Sequence, residues 1–409
     1  MDRQFIPLFI TGIARSGTNL VGRMLNAHPE IAVAIDPYLP FFKSLRDALV
    51  IKTLKKPWQE FTPSMALQDY YYTDERIAIL DLVQNGSLDM RLEKTQRLVL
   101  IEQLANRARI ECSDLVGSFA GIEAEEYRVL LTALLNVISQ YRGSTISRLI
   151  GFKDLWIIEF FTMLARAYPE ARFVAVLRDP RAAAASMLGF KDKDPSQLCH
   201  TLSFVRHWRK YAAFIHLYRS GFFAERFHVV RYEDLLENPV RTARSLCSFL
   251  EVPFDDRMLD MSNFYDAATG AVWQGNSTFD PVMTDISRHA AQRWRTKLDP
   301  RITALIDFVC GPEMQLFGYA PVYCAFTPEV ISGMLEYLIE NNTESCSWRS
   351  DFQDPQQDFA LELFRRCLLE LPDPPRDASL IRRSFLFESL YDVLRANASR
   401  DEQRRYAVS

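Results

Sequence analysis

Short apolar runs alternate with helical stretches along the first part of the chain. Leu8, Phe9 and Ile10 form an apolar run that stops at Gly12, and Leu20, Val21, Met24 and Leu25 then recur at helical spacing. The pattern predicts a buried strand, a tight turn and a helix starting near Ser16 to Thr18 with one face packed on a sheet. Pro29 stops that helix, and residues 30–35 offer a second short strand running into Asp36 and Pro37. Residues 41 to about 141 are helix-compatible, with apolar spacing in 97–108 and 123–138 and no strand signal. Alternation resumes at Thr145, where STISRLIGFKD predicts a strand emptying into Lys153 and Asp154, followed by a helix over about 156–168. The clearest strand is RFVAVL at 172–177, apolar, β-branched and bounded by charges. Beyond it, Asp179 suits a helix cap and Pro180 the first turn of a helix reaching Leu188.

A longer helix is expected over about 196–220, its basic and aromatic run Arg206, His207, Trp208, Arg209, Lys210 and Tyr211 carrying a solvated charged face. FHVV at 227–230 reads as a further strand, delivering Arg231 and Tyr232, before a helix over 240–250. Residues 264–297 are loop-like and basic, with Asn276, Ser277, Pro281, Arg288, His289 and Arg293, and are expected to act as a mobile clamp over a nucleotide. After Pro321 the strand signals end, and amphipathic helices are expected near 328–340, 356–371 and 378–396. The expected class is α/β: a P-loop-like three-layer fold around a central parallel sheet over residues 1–323, with a helical insertion at about 41–144 and a C-terminal helical extension over 324–409.

Composition narrows this picture in three places. A formal net charge of −4 argues against a general nucleic-acid binder, although a local basic pocket is compatible with it. No apolar tract is long enough to span a bilayer, and the first strand follows the N-terminus too closely for a signal peptide, so a cytoplasmic protein is expected. The 7 cysteines are scattered without a CxxC pair, which fits reduced thiols and offers no metal site.

The candidate chemistry starts at the first turn. Gly12 to Asn19 has the spacing of a P-loop, but Thr18 and Asn19 stand where a nucleoside triphosphatase has Lys and Ser or Thr. Arg15 is the loop's strong cation, and the magnesium position is an amide, so the loop suits a less charged oxyanion held without metal. An incidental glycine turn is the plain alternative. Asp36 ends a strand and faces the crevice where open α/β sheets bind ligands, or else forms an Asp-Pro turn or a helix cap. Arg178 leaves another strand, and Ser186 lies eight positions beyond it in the following helix. That makes a second strand-end candidate for an anion.

Together GIARSGTNL, the lysine of GFKD, VLRDPRAAAAS and VVRYEDLLENP resemble the sulfotransferases that use 3′-phosphoadenosine 5′-phosphosulfate, PAPS. The loop form RSGT is closer to the tyrosylprotein and carbohydrate sulfotransferases than to the small-molecule enzymes. The resemblance implies that Arg15, Ser16, Gly17, Thr18 and Asn19 hold the 5′-phosphosulfate, that Arg178 and Ser186 hold the 3′-phosphate, and that Tyr232 lies near the nucleotide. It also implies that Lys153 and Arg15 meet the charge growing on the bridging oxygen, and that Asp36 takes the proton of an acceptor hydroxyl or amine. The product would be adenosine 3′,5′-bisphosphate, with no metal required. The acceptor class stays open, no nucleic-acid or membrane-spanning role is expected, and the C-terminal helices are candidates for self-association or a partner. The competing readings are a P-loop kinase and a non-catalytic nucleotide-binding scaffold.

Overall fold

The computed structural model describes residues 5–54, 73–141, 147–191, 201–265, 270–275, 286, 289–341 and 354–408. Its strands are β1 (Ile6–Gly12), β2 (Ile31–Ile35), β3 (Leu149–Lys153), β4 (Arg172–Leu177) and β5 (Phe227–Arg231). The helices up to the last strand are α1 (Thr18–Asn26), α2 (Leu39–Leu54), α3 (Asp74–Asn85), α4 (Lys94–Glu111), α5 (Tyr127–Tyr141), α6 (Phe161–Ala167), α7 (Pro180–Lys191) and α8 (Thr201–Arg219). After it come α9 (Tyr232–Glu237), α10 (Pro239–Leu250), α11 (His289–Gln292), α12 (Trp294–Lys297), α13 (Pro300–Leu316), α14 (Pro328–Glu340), α15 (Pro355–Glu370), α16 (Ala378–Phe385) and α17 (Glu388–Val408).

By internal contacts the chain divides into two units: Met1–Ser64, Asp81–Arg178 and Phe222–Ala290 form the first, and Met65–Leu80, Asp179–Gly221 and Ala291–Ser409 the second. The first unit holds the expected parallel sheet, in the order β2-β3-β1-β4-β5. β1 lies at its centre, bonded to β3 on one side and β4 on the other. Every residue of β2 and β3 is buried, and in β1 and β4 all but the first. This burial on both faces is why these strands read as continuous apolar runs instead of alternating ones. The register places Ile35 opposite Lys153, and Leu177 opposite Arg231. The residues that follow β1, β2, β4 and β5 therefore leave from the same carboxyl edge of the sheet. The chain passes from β1 to β2 on one side and from β3 back past β1 to β4 on the other, and this reversal marks the position where such sheets bind ligands.

Most expected elements stand within a few residues of their expected bounds. β4 is RFVAVL itself, and Asp179 accepts from the Arg181 amide at 2.9 Å as the cap ahead of Pro180. The start of the third strand, expected at Thr145, and positions 266–269, 276–285 and 287–288 of the expected clamp lie outside the described residues. Among the described residues of 41–141 there is no strand, as expected.

The second unit departs from expectation in two respects. The α8 run from Arg206 to Tyr211 is buried throughout, not solvated. Its cations are neutralised by α15: Glu362 accepts from Arg206 Nε and Arg209 Nη1 at 2.5 Å each, and Asp358 takes Arg206 Nη1 at 2.9 Å. Burial works against ionisation of Glu362, but Arg209 and Arg206 hold its carboxyl well below the usual range. A buried Arg365–Glu313 pair adds to the same layer. The C-terminal helices are thus built into the core of the second unit, alongside α8 and α13. The helix expected over 378–396 is broken in two at Leu386, whose φ of 66° is a left-handed value that a helix cannot carry.

Candidate active site

The loop between β1 and α1 turns through two left-handed residues, Arg15 at φ 65° and Gly17 at φ 88°. Ser16 Oγ donates to the Ile13 carbonyl at 2.7 Å and ties the turn together. Gly17 caps α1 without a side chain, which leaves the first-turn amides of Thr18, Asn19 and Leu20 as open donors at the positive end of the helix. A Cβ at Gly17 would collide with the Tyr232 ring, so the glycine is required by the ring as well as by φ. Further along α1, a Cβ on Gly22 would stand 2.7 Å from Ile35 Cδ1 and 3.4 Å from Lys153 Cβ. The missing side chain lets the helix come close to the two strands that deliver Asp36 and Lys153.

Arg178, at the end of β4, donates through Nη1 to the Arg15 carbonyl at 2.8 Å. Its guanidinium carbon lies 4.6 Å from the centre of the Tyr232 ring. Burial and the neighbouring Arg178 draw the Arg15 guanidinium down to about 10. Two guanidinium groups held together against their repulsion, beside an open helix N-terminus, form a place whose electrostatics an anion relieves.

Lys153 and Asp36 meet across neighbouring strands. Lys153 Nζ lies 2.5 Å from Asp36 Oδ2, and the Asp36 amide donates to the Lys153 carbonyl at 2.6 Å. Asp36 takes φ 52°, a left-handed value that Asp tolerates better than most residues. Its Oδ1 is buried without a hydrogen-bond partner, 3.9 Å from Arg107 Nη2. Beside this pair, Asp154 accepts from the Tyr38 amide at 2.7 Å. Burial, and after it the charge of Asp36, pushes the Asp154 carboxyl up to about 8. Of the two adjacent carboxyl groups, Asp154 is pushed toward its protonated form, whereas Asp36 is ion-paired with Lys153.

Of the residues singled out in the sequence, Arg15, Ser16, Gly17, Thr18, Asn19, Asp36, Lys153, Arg178 and Tyr232 all belong to the first unit. Ser186 is buried on α7, in the second unit. Sequence reasoning missed Arg107, whose Nε donates to the Asp36 carbonyl at 2.9 Å from α4. Nothing in the local pattern of α4 distinguishes it from the other arginines of that helix.

The sulfotransferase family model matches residues 7–256, more than half of the chain and a span that includes each of these residues. This chain belongs to the sulfotransferase family. Protein-tyrosine sulfotransferase 1 of Danio rerio is 24% identical over 322 residues, covering 77% of this chain and 72% of that protein. Carbohydrate sulfotransferase 3 of Homo sapiens is 23% identical over 170 residues, covering 37% of this chain and 34% of that protein. Among solved structures, the sulfotransferase domain from the curacin biosynthetic pathway is 19% identical, with a TM-score of 0.44 over 78% of this chain and 100% of that one. The family uses PAPS as its sulfuryl donor, and this sulfotransferase is a PAPS-dependent transferase. The kinase and scaffold readings give way to that assignment.

Proposed function

We propose that this sulfotransferase binds PAPS on the β1–α1 loop and transfers the sulfuryl group to an acceptor hydroxyl or amine with Asp36 as the base. The observation that carries the proposal is the Asp36–Lys153 pair beside the two-arginine loop at one edge of the sheet. The donor set fits its ligand. Arg15, Ser16, Gly17, Thr18 and Asn19 offer a guanidinium and amides to the 5′-phosphosulfate, while Arg178 serves the 3′-phosphate and Tyr232 lies along the nucleotide. Bound PAPS supplies the sulfuryl group and departs as adenosine 3′,5′-bisphosphate with the electron pair of the broken S–O bond. Lys153 and Arg15 present N–H groups to the charge that grows on the bridging oxygen. Asp36 Oδ1, which has no hydrogen-bond partner, accepts the proton of the acceptor. The cations present take the role that magnesium fills in a P-loop kinase.

The same reading assigns residues 1–323 to the transferase and 324–409 to an extension that packs and carries self-association or a partner. A cytoplasmic location belongs to the same proposal, since 7 scattered cysteines without a CxxC pair suit reduced thiols. Incubation with labelled PAPS and a broad acceptor extract, followed by mass spectrometry of sulfated products, tests the activity. Absence of any labelled product together with absence of bisphosphate binding rejects it.

A further inference from the structure

Between α2 and α4 the first unit encloses a cleft of about 710 Å³. That volume lies within the range of small-molecule sites, roughly 300–1,000 Å³. Leu39, Pro40, Ala48 and Ile51 form the α2 wall, and Val99 and Leu100 the α4 wall. The cleft is tied to the chemistry by one residue. Arg107 lines it, and the same guanidinium donates to the Asp36 carbonyl and stands 3.9 Å from the unpartnered Asp36 Oδ1. Leu39 and Pro40, at the start of α2, follow Asp36 closely in the chain.

Apart from Thr95, Gln96 and Gln103, the polar groups of the lining are engaged within the protein. Ser44 Oγ and Tyr127 Oη are hydrogen-bonded to each other at 2.8 Å. Asp47 Oδ1 accepts from Arg46 Nε and Nη2 at 3.0 and 2.9 Å. Burial raises the Asp47 carboxyl. Burial, followed by the charges of Arg46 and Arg107, draws the Lys43 ammonium down to about 8. A saccharide, with a hydroxyl on nearly every carbon, would lose more hydrogen bonds to water than these walls return. Asp47 is paired with Arg46, and Arg107 with Asp36, so a peptide rich in acidic residues finds these charges already committed. An uncharged apolar body exchanges water for Leu, Ile, Val and Pro side chains at little polar cost.

We infer that the α2–α4 cleft is the acceptor site, and that its acceptor is an uncharged, predominantly apolar alcohol or phenol delivered past Arg107 to Asp36. The inference rests on the sulfotransferase reading and adds the substrate class to it.

Three acceptors separate the classes in a labelled-PAPS transfer assay on the full chain: 2-naphthol, a tyrosine peptide with acidic flanks, and a disaccharide. The naphthol is expected to give the highest kcat/KM. Ala48→Phe, which fills the cleft, and Val99→Asp, which puts a charge on its rim at a side chain 55% exposed, are each expected to raise the KM for naphthol at least tenfold. Adenosine 3′,5′-bisphosphate affinity should stay at the wild-type value in both variants. Equilibrium dialysis of naphthol against the wild type and Val99→Asp reads the cleft without any turnover, and weaker binding to the variant is expected. Preference for the peptide or the disaccharide, or naphthol binding and KM unchanged in both variants, overturns the acceptor assignment while leaving the sulfotransferase intact. Loss of the donor reading shows differently, as a wild-type protein that neither binds the bisphosphate nor transfers to any of the three.

Discussion

Lys153 Nζ stands 2.5 Å from Asp36 Oδ2, and the backbones of the same two residues are joined by a hydrogen bond between adjacent strands. The lysine therefore holds one carboxylate oxygen and fixes the orientation of the other. In the proposed mechanism Asp36 Oδ1 is the proton acceptor, and a shift of either strand end would displace Asp36 and Lys153 together.

Asp36→Asn preserves the shape and most of the local hydrogen bonding but removes the proton acceptor. Transfer is expected to fall by about two to four orders of magnitude while bisphosphate affinity stays near wild type. Calorimetry and a single-turnover assay on this variant check both halves, and near-normal transfer would return Asp36 to the role of an Asp-Pro turn.

Arg178→Ala removes the donor to the Arg15 carbonyl and the cation proposed to read the 3′-phosphate. Wild type should prefer adenosine 3′,5′-bisphosphate over adenosine 5′-phosphate without magnesium. The variant should lose that preference, at a cost of about 1.5–3 kcal/mol for a charge-assisted bond. Titrations of both nucleotides with and without magnesium decide the point, and an unchanged ratio counts against the assignment.

Asp154 gives a pH signature of the site. An unfolded Asp releases its proton near 3.8, whereas the buried Asp154 holds it to about 8. Between these values the folded state binds the extra proton, so this residue makes stability fall as pH rises. Asp154→Asn keeps an acceptor for the Tyr38 amide and removes the titration. The urea midpoint of the variant should therefore gain on wild type as pH goes from 5 to 8, and parallel pH profiles for the two proteins would contradict the protonated Asp154.

Glu362→Ala leaves the buried cations Arg206 and Arg209 without their shared carboxylate. Breaking such a buried pair costs about 3–5 kcal/mol, read as a lowered denaturation midpoint. A chain ending at residue 323 removes the same carboxylate and Asp358, and is expected to be insoluble or partly unfolded. A monomeric, cooperatively folded truncation would show that the helices of 324–409 are dispensable to the second unit.

What could be read from the sequence was what each segment states about itself. RFVAVL carries its own apolar run and its own charged bounds, and the GIARSGTNL turn carries its glycines and cation, so strand and loop were legible there. Arg107 was not, because its meaning lies in a contact with Asp36 across 71 residues of chain. The Arg206–Tyr211 run misled for the same reason: its charges read as solvated until α15 supplies Glu362 and Asp358 from more than a hundred residues away. The break at Leu386 had no proline or glycine to announce it, since the apolar spacing continues across it.

The strand order has a consequence for how this chain is made. β1 is synthesised first, but its two hydrogen-bonding neighbours begin at Leu149 and Arg172, and β2 also waits for β3. At typical rates of synthesis, about 5–20 residues per second, both strands leave the ribosome on the order of ten seconds before any partner exists for their backbone groups. Throughout that interval the nascent chain carries two apolar strands with unpaired edges, which makes it a client for chaperones and a substrate for aggregation. Yield on expression should therefore respond to chaperone supply and temperature more than the stability of the finished fold alone would suggest.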